Sequence, residues 1–153
     1  MSKLKVSFSD PEHGWLVLTL DAGAETVRID ASDIYPSLSG LVKALQLLRV
    51  LPGQQTVTWT CEPTEYDLVF VRDAGGITLR VLCFPDSRRS AFREDEVLSV
   101  SGSYDEVCLP FWRALKSLQG RFPQAEMGER WTSSFAWREL DALTAELGRG
   151  PQP

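Results

Sequence analysis

The chain has 153 residues, of which 43% are hydrophobic, 24% charged and 10% aromatic, the profile of a globular protein and not of a disordered one. Its net charge of −5 argues against a nucleic-acid partner, because phosphate binding needs a clustered excess of Lys and Arg. No apolar run approaches the ~20 residues of a membrane-spanning helix, and no apolar stretch follows Met1-Ser2-Lys3-Leu4-Lys5, so neither a membrane role nor a signal peptide is expected.

The N-terminal third reads as a three-stranded meander. Leu4, Val6 and Phe8 alternate with polar residues until Asp10-Pro11-Glu12-His13-Gly14 breaks the strand. Leu16, Leu18 and Leu20 then share one face, with Trp15, Val17 and Thr19 on the other. Asp21-Ala22-Gly23-Ala24 signals a hairpin, and Val27 and Ile29 continue the pattern to Asp30. The period changes at Leu38, Leu41, Val42, Leu45 and Leu48, which fall at helical spacing. Ser37 is the expected N-cap and Pro52-Gly53 the stop. Leu47, Val50 and Leu51 widen the apolar face and predict a well-buried helix.

Thr56–Cys61 alternates Val57, Trp59 and Cys61 with three threonines and is strongly β-prone. Tyr66, Leu68 and Phe70 form the next strand, Asp73-Ala74-Gly75-Gly76 a second hairpin turn, and Ile77–Phe84 a central strand apolar on both faces. Pro85–Glu96 is polar and reads as an exposed loop, followed by a short edge strand at Val97–Val100. Ser103-Tyr104-Asp105-Glu106 is a capping box opening a helix that ends at Gly120, with Pro110 kinking it or delaying its start. Pro123–Gly128 reads as loop. A last helix is expected over 134–147, on the stripe Ala136, Leu140, Leu143 and Leu147, and residues 149–153 as a disordered tail.

The expected fold is therefore α+β: an antiparallel meander of six or seven strands, two helices on one face and a third, C-terminal helix, in one domain over 1–148. Against itself at an offset of 52, the sequence matches at seven of fifteen positions between Leu16–Asp30 and Leu68–Leu82. That pattern suggests a duplicated βββα unit, 4–51 and 56–120, with the charged loop and its extra strand as an insertion. Two hairpins built on the same turn would show the same likeness without duplication.

Chemistry is sparse. The sequence has no nucleotide-binding, metalloprotease or serine-hydrolase motif, so no cofactor and no metal is expected. His13 is the one imidazole and reads as a solvated turn residue rather than a catalyst. Cys61, Cys83 and Cys108 are widely spaced and odd in number, consistent with reduced thiols and a cytoplasmic setting. The candidate partner-binding residues are Arg88, Arg89 and Arg93 in the charged loop and Trp15, Trp112, Trp131 and Trp137, since Arg and Trp concentrate at interface hot spots. The preferred reading is a non-catalytic module that binds another protein, such as an inhibitor or immunity-type protein masking a basic partner. Two alternatives stand beside it: a small-molecule-binding domain or enzyme with a pocket lined by Trp59, Tyr66 and Cys61, and a homodimer using the outer sheet face.

Overall fold

Period-two alternation lays down seven strands in the computed structural model, which describes residues 4–89 and 94–148. They are β1 (Lys5–Phe8), β2 (Trp15–Asp21), β3 (Thr26–Ser32), β4 (Gly53–Thr60), β5 (Glu65–Asp73), β6 (Gly76–Phe84) and β7 (Asp95–Gly102). All pair antiparallel, in the order β1-β2-β3-β4-β5-β6-β7. The α+β meander is the expected one, and the edge strand β7 is twice the predicted length. The sheet has a seam: β3 and β4 share a single pair, Ser32 with Thr60, whereas every other neighbouring pair runs for several residues.

The helices are α1 (Ser37–Val50), α2 (Tyr104–Val107), α3 (Leu109–Arg121), α4 (Gln124–Arg130) and α5 (Trp137–Gly148). Pro110 explains the split between α2 and α3. The Ser103–Glu106 capping box closes a single turn, and the chain restarts with Pro110 in the first turn of α3, where a missing N–H does no harm. Ser37 is not the N-cap of α1. Pro36 occupies that position, and the Ser37 hydroxyl donates instead to the Thr58 carbonyl across the sheet. The segment expected as loop after Pro123 is α4, and the last helix starts three residues later than predicted.

One continuous core fills the space between the helices and one sheet face. Leu18, Leu20, Ile29, Trp59, Leu68, Phe70 and Leu79 meet Leu38, Leu41, Leu45, Phe111, Leu115 and Leu140 there, all fully buried. Two helices cross the seam. α1 follows the first meander yet packs chiefly on β4, and α3 follows the second yet packs on β1, where Arg121 Nη1 donates to the Phe8 carbonyl at 2.8 Å. Leu47, Val50 and Leu51 contradict their expected burial and are exposed. At 100° per residue, Leu47 and Val50 fall off the stripe that Leu41, Leu45 and Leu48 turn toward the sheet. No helix among the described residues is long and apolar enough to cross a membrane.

The two similar hairpins differ in detail. Asp21 and Asp73 each accept from the amide two residues on, at 2.8 Å. The first loop nevertheless spans four residues between Asp21 and Thr26, and the second two between Asp73 and Gly76. Pairing is displaced by two residues (Leu18 with Ile29, but Phe70 with Leu79), and an even shift leaves each side chain on the face its parity assigns. Gly76 is the tightest point. Its φ is +126°, and a Cβ there would lie 2.6 Å from the Gly102 carbonyl oxygen. Gly76→Ala is expected to lower stability by about 2 kcal/mol or more in urea denaturation, because a backbone atom of β7 must move.

Candidate functional site

The outer sheet face carries the most organised polar group among the described residues. Register places Trp15, Ser32, Thr60, Glu65 and Phe84 in one row across β2 to β6. At ~4.8 Å per strand, Trp15 lies about 14 Å from Glu65. The adjacent row holds Thr58, Asp67, Leu82 and Glu96. This face is otherwise largely open, with Arg28, Asp30, Thr56, Arg80, Ser99 and Ser101 exposed. Ser32, Thr60, Val69 and Leu82 are buried on it, and so are two charged side chains, Glu65 and Asp67, at 3% and 6% exposure.

Arg89 accounts for the burial of that charged pair. Asp86 makes a short turn, its carboxylate accepting from the Arg88 amide at 3.0 Å, and Arg89 takes a left-handed φ of +49°. The side chain thereby folds back over the sheet, its guanidinium carbon 4.0 Å above the Phe84 ring. Nη1 and Nη2 donate to the two Asp67 oxygens at 2.7 Å each, while Nε and Nη2 donate to Glu65 Oε1 at 3.1 and 3.0 Å. Tyr35 donates its hydroxyl to Glu65 Oε2 at 2.6 Å, and Thr58 donates to Asp67 Oδ1 at 2.8 Å. Hydrogen bonding to Asp67, then to Glu65, raises the Arg89 pKa against the opposing effect of burial. The bond to Glu65 raises that of Tyr35. Two carboxylates face one guanidinium, so the cluster keeps one uncompensated negative charge. Two apolar side chains are exposed in its row or chain neighbourhood: Trp15 at 42%, about 14 Å along the Glu65 row, and Ile34 at 61%, next to Tyr35 in the chain.

Of the residues expected at an interface, the fold brings Trp15 and Arg89 to the same row. Arg88 is exposed on the same turn, and Arg93 lies outside the described residues. The other tryptophans go elsewhere. Trp131 is a correction to the aromatic-surface reading: at 1% exposure it is a core residue. Trp137 is half-buried, edge-on to Phe135 with ring centroids 5.1 Å apart. Trp112 is half-buried and donates Nε1–H to Thr144 Oγ1 at 3.0 Å. Glu65, Asp67 and Tyr35 were not singled out in the sequence.

Of Trp59, Tyr66 and Cys61, expected to line a pocket, the first is closed off in the core. Trp59 is fully buried against Phe8, and Tyr66 borders a shallow depression with Thr26, Arg28 and Val97. His13 sits in its turn at φ +53°, among Glu12, Glu126, Glu129 and Arg130. Cys61 lies near Tyr66, Asp30 and Cys83. No group of three His, Cys, Asp or Glu side chains suited to a metal occurs among the described residues.

Burial, with the nearby Asp30 carboxylate, pushes the Cys61 thiol up to about 11, and burial pushes Cys108 up to about 12. At pH 8 roughly 0.1% of Cys61 is thiolate. A disulfide-exchange reagent at pH 8 is therefore expected to label at most Cys83 rapidly, and all three thiols after urea. Both raised values stabilise the fold below about pH 9, and for Cys61 that contribution is lost between about pH 9 and 11. Fast labelling of two or more thiols in the folded protein would contradict this.

Comparison with protein-family models, curated proteins and solved structures returns no match to this chain.

Proposed function

We propose that this chain is a non-catalytic module that binds another protein, in the manner of an inhibitor or immunity-type protein, through the outer row from Trp15 to Arg89. The supporting observation is that Trp15, exposed in the same row of the outer sheet face, and Ile34, exposed next to Tyr35 in the chain, accompany the hydrogen-bonded Arg89–Glu65–Asp67–Tyr35 network. Interface hot spots combine these features: an aromatic anchor, a guanidinium held in place, and little ordering left to do on binding. The cluster's residual negative charge and the chain's net charge of −5 favour a partner that brings Lys or Arg to this face. Three free cysteines fit a reducing, cytoplasmic setting for that encounter.

The test is a comparative capture from native lysate. Wild type, the double variant Trp15→Ala/Ile34→Ser and the distant control Val50→Ser/Leu51→Ser serve as baits at two salt concentrations. The reading requires a basic protein retained by wild type and control, lost by the double variant, and weakened by salt. Identical capture by all three baits, or no salt-sensitive partner, would overturn it.

A further inference from the structure

A cavity of about 670 Å³ opens where the C-terminal end of α1, the β5–β6 hairpin, the α2–α3 junction and α5 converge. It lies on the helical side, away from the outer-face row, and owes nothing to that row. Ile77, Tyr104, Leu109, Trp112 and Leu147 give it an apolar lining. Several of these walls are held in place. The Trp112 indole donates to Thr144, whose hydroxyl donates to the Leu140 carbonyl at 2.8 Å, and the Tyr104 hydroxyl donates to the Leu45 carbonyl at 2.7 Å. Size, apolar lining and a few fixed polar groups match what small-molecule sites share.

Arg72 determines the chemistry. It leaves β5 on the core side and lines the cavity half-buried. Nη1 donates to the Leu48 carbonyl at 2.7 Å, in the last turn of α1. That helix end carries only about half a negative charge. No carboxylate lies within ion-pair distance of Arg72 among the described residues. The remaining guanidinium N–H groups are thus suited to an anion brought from outside. Arg49, also in the lining, is engaged with Glu146 at 3.4 Å. Asp73 and Asp105 are exposed among the lining residues and would oppose a second negative charge.

We propose that this cavity binds a small organic monoanion, an aromatic or alkyl body bearing one acidic group, which Arg72 receives while Trp112, Leu109 and Leu147 cover the body. The test uses two fluorescent probes of the same shape: 8-anilinonaphthalene-1-sulfonate, which is anionic, and N-phenyl-1-naphthylamine, which is neutral. Both should bind the folded protein saturably at one site, raise its melting temperature and be displaced by octanoate. Arg72→Gln should weaken the anionic probe about tenfold and leave the neutral one within about twofold, which separates charge recognition from any general loosening. Leu147→Trp, which fills the cavity, should weaken both. Absence of saturable binding overturns the proposal, and so does an equal response of the two probes to Arg72→Gln. If that variant does not fold, competition on the wild type decides: displacement by octylammonium as effective as by octanoate overturns it.

Discussion

Arg89→Met is expected to lower the stability of the folded protein by about 3 kcal/mol at neutral pH, measured by urea denaturation. A surface ion pair would be worth between about 0 and 1 kcal/mol, and burial decides between the two regimes. The Glu65 and Asp67 side chains are only 4% and 9% exposed, whereas that of Arg89 is 31% exposed. Removing the guanidinium strands two carboxylates that water scarcely reaches. Partial access at the Arg89 end keeps the expected loss at the lower edge of the roughly 3–5 kcal/mol found when a buried pair is broken. The left-handed backbone at Arg89 argues the same way. A non-glycine residue there costs about 1 kcal/mol, which the ion network must offset for the turn to persist. Adding Glu65→Gln and Asp67→Asn to the variant removes the stranded charges and should restore most of the loss. A loss below about 1 kcal/mol, or a triple variant no more stable than Arg89→Met, would show that the network does not hold the turn.

The strands were legible because half-burial leaves a period-two mark. Leu16-Leu18-Leu20 and Val27-Ile29 predict their own face, and parity alone then places Trp15 outward. Helix α4 was not legible: Gln124–Arg130 buries only Met127 and so carries no apolar stripe. Leu47, Val50 and Leu51 misled for the opposite reason, being apolar residues beyond the width of the contact. The candidate site was half legible. Arg89 stood out in a charged loop and Trp15 in a strand. Glu65 and Asp67 looked like the solvent side of an alternating strand, because what buries them is a turn more than twenty residues downstream in the chain. The available signal was the placement of two acids at i and i+2 on the outer face of a central strand, with Thr58 opposite Asp67.

The seam between β3 and β4 sets the other large effect. One residue pair cannot hold two half-sheets together, so the sheet's continuity rests on the helices that cross it. Phe111 on α3 meets Phe70 of β5 edge to face, centroids 5.3 Å apart, and both are fully buried. Through the same helix, Arg121 reaches β1. Phe111→Ala should therefore cost about 4 kcal/mol, combining lost transfer energy, a cavity and a broken aromatic contact. That is a large share of the roughly 5–15 kcal/mol typical of a folded domain. Because α1 and α3 each pack on the half they do not follow, the damage should not stay in the second half. Far-ultraviolet circular dichroism and tryptophan fluorescence should report one coincident urea transition, shifted as a whole. Two separated transitions in the variant would mean that the half-sheets stand independently and that the crossed helices do not couple them.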